Sequence, residues 1–146
     1  MPGQYDQMTL HLLICGTRTF ADYPLLCAKL DALTANYSAI EVVSGAPDEK
    51  VRTADWVPGA DGLAERWAKE RGHKYRNFPA KWRRYGNPAG PVRNRDMAIY
   101  LLTRKGERGV VGFWDGESRG TKDMFDVARE AGLSVRVVNY KRQEQA

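Results

Sequence analysis

Two periods alternate along the chain, one of two residues or none and one of three to four. Leu10 to Cys15 is a short apolar run of strand length, and Ile40, Val42 and Val43 make a second. Tyr75 alternates with polar neighbours through Lys74 to Phe78, predicting a third strand. Val110, Val111, Phe113 and Trp114 predict a fourth, and Val135 to Val138 a fifth. Between these runs the spacing lengthens. Leu26, Leu30 and Leu33 follow Asp22 and Pro24, an N-cap and first-turn proline that start a helix. Leu63, Ala64, Trp67 and Ala68 give a second helix its apolar side between Gly59 and Gly72. Met97, Ala98, Leu101 and Leu102 do so for a helix over Val92 to Arg104. Met124, Val127, Ala128 and Ala131 lie at the spacing of one helix face after Thr121, closed by Gly132.

Strand followed by helix throughout predicts an α/β fold: a Rossmann-like three-layer sandwich on a parallel sheet of about five strands in the order 3-2-1-4-5, with right-handed crossovers. One domain spans 1–146, with loose tails at 1–9 and 139–146 and an exposed loop at 46–58. Pro79 to Pro91 is a further long loop, of a length that points to function. Ligands of such sheets bind beyond the carboxyl ends of the strands where the order reverses, here between the first and fourth. The loops Gly16 to Phe20, Ser44 to Asp61, Pro79 to Arg95 and Asp115 to Thr121 all follow strands and converge on that edge.

Charge sharpens the picture. The net charge is +5, and Pro79 to Arg95 supplies all of it through Lys81, Arg83, Arg84, Arg93 and Arg95 with no acid. An anionic partner is expected there. The apolar runs are too short for a signal core or a membrane span, so a cytoplasmic protein with no membrane partner is expected. Cys15 and Cys27 fall in apolar patterns outside any CxxC pair and read as small core residues.

The turn from the fourth strand into its helix passes through Asp115, Gly116, Ser118 and Gly120, which leaves backbone N–H groups and a helix N-terminus facing outward, an anion site. Gly116 to Gly120 also matches GxSxG, but a nucleophile elbow needs a histidine after the serine, and His11 and His73 both precede Ser118. No HExxH, paired-cysteine spacing, GxGxxG after the first strand or GK[ST] occurs. No resident cofactor or metal is expected, though Mg²⁺ carried in by a phosphorylated ligand is compatible with the chain.

Read in order, ICGTRTF from Ile14, VVSGA from Val42, GADGLAERWA from Gly59, the segment from FPAKW at Phe78 to AGPVRNRDMA, and FWDGESRGT from Phe113 resemble the SLOG superfamily. These are Rossmann-like ligand-binding domains related to YpsA, DprA and the LOG phosphoribohydrolases. The resemblance covers most of Leu12 to Val138. It implies a pocket for a nucleotide or nucleotide derivative, with phosphate held by glycine loops and arginines. LOG enzymes pair an arginine in an RxxxM-like segment, matched by Arg93 to Met97, with a glutamate three residues after a Gly-Thr. Here that glutamate is Met124, which leaves hydrolysis of a nucleotide glycosidic bond open; a sensor, sequestering or accessory protein is the favoured expectation, and a nucleotide phosphoribohydrolase-like enzyme, with Asp115 or Glu117 in place of the missing acid, is the alternative. The DprA relationship leaves single-stranded nucleic acid as a less favoured partner, and a homo-oligomer stays open.

The candidate ligand-binding residues are Gly16, Thr17, Arg18, Ser44, Gly45, Gly59, Asp61, Trp82, Arg93, Asn94, Asp115, Gly116, Ser118, Gly120 and Thr121. Arg18 either clamps a phosphate or makes a surface salt bridge. Ser44 and Gly45 allow close approach of a ligand or simply form a turn. Asp61 caps its helix, with a ribose hydroxyl as the alternative partner. Arg93 and Asn94, at a helix start, oppose the dipole unless an anion faces them. Trp67 and Trp114 pack the core, whereas Trp82 and Tyr85 stack on a base or close the basic loop.

Overall fold

The three central strands form because their apolar runs are buried on both sides by helix on either face of the sheet, while the two edge strands are largely exposed. A computed structural model describes residues 9–45 and 59–145, with side chains through 142. The strands are β1 (Thr9–Gly16), β2 (Ala39–Gly45), β3 (Lys74–Phe78), β4 (Glu107–Trp114) and β5 (Ser134–Asn139). All pairings are parallel and the order is 3-2-1-4-5, as the alternation predicts. The helices are α1 (Tyr23–Thr34), α2 (Ala60–Arg71), α3 (Trp82–Tyr85), α4 (Ala89–Leu102), α5 (Arg119–Glu130) and α6 (Tyr140–Gln145).

Alternation along β1 divides the core. Leu10, Leu12 and Ile14 face α1 and α2, where Leu26, Leu30, Trp67 and Phe20 are fully buried. Leu13 and Cys15 face α4 and α5, against Met97, Leu101, Met124 and Phe125. Trp67 also reaches a polar partner, its indole N–H donating to Asp31 at 3.0 Å. Asp22 caps α1 by accepting from the Leu25 N–H, with Pro24 in the first turn, as its sequence predicts.

Several boundaries differ from expectation. Pro79 to Pro91 is not one long loop: it holds the single-turn α3, and α4 begins at Ala89 rather than Val92. Arg93 therefore stands a full turn inside its helix, where the helix dipole opposes its charge far less than at a first position. Leu102 is 45% exposed rather than inward, at the last position of α4. Residues 140–145 are no loose tail: they form α6, and Tyr140 is buried against Phe20 with ring centroids 4.7 Å apart. Residues 1–8 and the loop at 46–58 lie outside the described residues.

Candidate functional site

β1 and β4 are neighbours in the sheet, yet the chain leaves their carboxyl ends in opposite directions, so a crevice opens between the loops that follow. The walls close on a cavity of about 510 Å³. Its floor is the ends of two strands, Cys15 and Gly16 of β1 and Gly45 of β2. The first turns of three helices line it: Asp61 of α2, Gly90 and Pro91 of α4, and Arg119, Gly120 and Thr121 of α5. Three helix N-termini facing one space give it a positive lining even before side chains are counted. Arg18, Arg93 and Arg119 add formal charge, and Trp82 of α3 stands at the mouth, 48% exposed.

Close approach of backbone is built in at two points. A Cβ on Gly45 would fall within the Arg93 guanidinium, 2.8 Å from its Cζ, and 3.0 Å from Asp61 Oδ2. A Cβ on Gly16, where φ is +156°, would meet the Phe113 carbonyl and lie 2.7 Å from the Ala60 Cβ.

Arg93 is oriented by its neighbours. Its Nε donates to Asn94 Oδ1 at 3.1 Å and its Nη1 to the Phe78 carbonyl at 3.3 Å. Asn94, only 5% exposed, donates in turn to Asp123 Oδ2 at 2.9 Å and to the Gly120 carbonyl at 3.3 Å. One amide thus ties Arg93 to the start of α5, with both its N–H groups and its oxygen engaged.

Asp61 does not cap its helix. Gly59 occupies the N-cap position and Asp61 lies in the first turn, its carboxylate lining the cavity without a hydrogen-bond partner among the described residues. Burial pushes its pKa up to about 7, against the opposing pull of Arg93 and Arg18. The same enclosure holds the Cys15 thiol protonated, its pKa raised first by burial and then by Asp61. Cys15 donates weakly to the Val111 carbonyl at 3.8 Å.

The sequence candidates divide accordingly. Gly16, Arg18, Gly45, Asp61, Trp82, Arg93, Asn94, Ser118, Gly120 and Thr121 come together around the cavity. Thr17, Ser44, Gly59, Asp115 and Gly116 do not line it and instead shape the loops behind it. Thr17 Oγ1 accepts from the Asp115 N–H at 3.2 Å, and Ser44 Oγ pairs with the Tyr75 hydroxyl at 2.8 Å. Gly59 packs against the Arg18 carbonyl, where a Cβ would come within 2.6 Å. Asp115 accepts from the N–H groups of Glu117 and Ser118 at 2.8 Å each, and these hold its pKa below the usual carboxylate range. Gly116 takes φ +88° in the same turn.

Ser118 is the N-cap of α5, accepting from the Thr121 N–H, and neither histidine approaches it. His11 lies between Glu41 and the Lys105 carbonyl, and His73 packs against Trp67 with the rings tilted by 51°. Sequence reasoning missed Asn87, Arg119 and Asp123, and it placed Met97 and Met124 in the core without seeing that they also form cavity wall. The signal for Arg119 and Asp123 was present, since both belong to the first turns of a helix already marked as an anion site. Among the described residues no group of three His, Cys, Asp or Glu side chains is placed to hold a metal ion. Among them, too, no helix is long and apolar enough to cross a membrane.

Among solved structures, the chain is similar to a predicted subunit of tRNA methyltransferase from Methanocaldococcus jannaschii, at 14% identity and a TM-score of 0.41, over 89% of this chain and 67% of that one. No curated protein matches. Residues 10–85, which contain β1 to β3, the Gly16 turn, Gly45 and Asp61, match the YspA, cpYpsA-related SLOG family, and the chain belongs to that family.

Proposed function

We propose that the protein binds a nucleotide or nucleotide derivative in this cavity, as a sensor, sequestering or accessory protein. One observation carries the reading: the N-termini of α2, α4 and α5 and the side chains of Arg18, Arg93 and Arg119 surround one cavity with an exposed indole at its mouth. The helix ends and guanidinium groups suit phosphate, and the indole suits a base. A volume of about 510 Å³ lies within the range of small-molecule sites. Family membership supports the same ligand class.

The test is thermal stabilisation by a panel of nucleotides that includes ADP-ribose and cyclic dinucleotides, run on wild type, Arg93→Ala and Gly120→Val. A Cβ on Gly120 meets nothing within 4 Å, so there is room for a side chain at this point of the cavity lining. Stabilisation of wild type with loss in both variants is expected. Equal stabilisation of all three would overturn the site.

A second reading, cleavage of a nucleotide's glycosidic bond, has one observation in its favour, because a carboxylate, that of Asp61, stands beside Arg93. Against it stands Met124, buried, where LOG enzymes carry a glutamate. Free base accumulating in proportion to protein concentration would establish cleavage.

A further inference from the structure

Asp61 and Arg93 form an incomplete pair. Both stand over the α-carbon of Gly45, within reach of the place a side chain would take, yet no ion pair joins them. Arg93 is turned toward this place by Asn94 and the Phe78 carbonyl, and it cannot follow a ligand without breaking those bonds. The arginine side of the gap is therefore held in place, and the absence of a side chain at Gly45 keeps the gap open.

The chemistry that fits the gap is narrow. A phosphate oxygen would satisfy Arg93 but lie against the carboxylate of Asp61, and an ammonium would do the reverse. A hydroxyl answers both, since its oxygen accepts from the guanidinium while its hydrogen is donated to the carboxylate. The phosphate has its own place at the start of α5. There the N–H groups of Arg119 and Gly120 precede any carbonyl that the helix could offer them, and the Arg119 side chain lines the same wall.

Resting on the nucleotide-binding reading above, we propose that Asp61 and Arg93 together hold the ribose hydroxyls of the ligand, so that the site selects ribonucleotides over deoxyribonucleotides. Asp61 is then a specificity-determining residue, and the phosphate and base supply affinity that both sugar types share.

The experiment measures Kd by calorimetry for AMP, GMP, CMP, UMP and ADP-ribose, each against its 2′-deoxy counterpart, with ribose 5-phosphate and 2-deoxyribose 5-phosphate as probes that lack a base. For whichever nucleotides bind, the ribo form is expected to bind about tenfold or more tightly than the deoxy form, the loss that follows from an unmade charge-assisted hydrogen bond. Asp61→Asn is expected to bring the two forms within about threefold of each other while keeping the weaker, shared affinity. Equal binding of ribo and deoxy forms by wild type, or an undiminished preference in Asp61→Asn, would overturn this inference and leave the proposed function standing. Failure of every nucleotide to bind would overturn both.

Discussion

Arg93 Nε donates to Asn94 Oδ1 at 3.1 Å, so the arginine that faces the cavity is held by the residue next to it in the chain. Asn94 in turn bonds Asp123 and the Gly120 carbonyl, which makes it the joint between α4 and α5. Asn94→Ala should therefore weaken nucleotide binding without removing any charge from the cavity. It should also cost about 1 to 3 kcal/mol of stability by leaving buried partners unmet. Asn94→Asp should do worse, keeping an acceptor for Arg93 but opposing Asp123 with a second carboxylate. Denaturant melts alongside nucleotide titrations check both, and wild-type affinity in a destabilised Asn94→Ala protein would contradict the joint.

Asp61 predicts a stability that depends on pH in an unusual sense. Its folded pKa of about 7 lies above the unfolded carboxylate value, so the folded state holds the proton more tightly. That contribution is complete below about pH 4, fades as pH rises toward 7 and is gone above it. The groups that face Asp61 are Arg93 of α4, Arg18 of the loop after β1 and the protonated Cys15 of β1. Asp61→Asn removes the ionisation and should raise stability at pH 8 by on the order of 1 to 3 kcal/mol, discounted for the water that reaches the cavity. Melting curves at pH 5 and pH 8 decide the matter. A variant less stable than wild type at pH 8 would show that the charge is compensated in the fold.

Trp82 stands at the cavity mouth and is 48% exposed. Trp82→Ala should leave stability within about 0.5 kcal/mol, as at other exposed positions. It should weaken a nucleotide by about 1 to 3 kcal/mol through the lost stacking face. Trp67, fully buried, gives the contrasting outcome, since Trp67→Ala should cost about 3 to 5 kcal/mol whatever the ligand. Chemical denaturation of the two variants side by side separates stacking from packing.

Lys81, Arg83, Arg84 and Tyr85 are exposed on and beside α3, a surface a single-stranded polynucleotide would find attractive. Neutralising several phosphates would make log affinity fall with log salt at about −0.7 per contact. We expect oligonucleotide binding to vanish near physiological salt while a nucleotide still stabilises the protein there. Tight, cooperative filter binding at that salt, removed by Arg83→Ala with Arg84→Ala, would reassign the loop to nucleic acid.

Legibility in the sequence followed the physics of each element. Strand order could be read because short apolar runs alternating with helical faces admit few right-handed arrangements, and β1, β2 and β4 are buried on both sides. The start of α4 could not, since Pro91 and Val92 masked two earlier helical residues, Ala89 and Gly90, which carry no periodic signal. The tail after Asn139 misled because its charge concealed one ring, Tyr140, that completes the core beside Phe20. At the site, Gly45 and Arg93 were legible as types suited to phosphate. That Asp61 shares their space was not, because the contact joins β2, α2 and α4 and belongs to no single stretch of sequence.

The place of β1 in the sheet has a consequence for synthesis and refolding. β1 pairs with β2 on one side and with β4 on the other, Leu10 lying opposite Glu107. Residues 10–85, released alone, would leave β1 as a bare hydrophobic edge and would lack Arg93, Asn94 and the whole first turn of α5. Ligand could not rescue such a fragment, because the groups that would grip it have not yet been made. If the proposed nucleotide site is right, a nascent chain gains it only after its long-range β1–β4 pairing, and added nucleotide should slow unfolding of the finished protein more than it speeds folding.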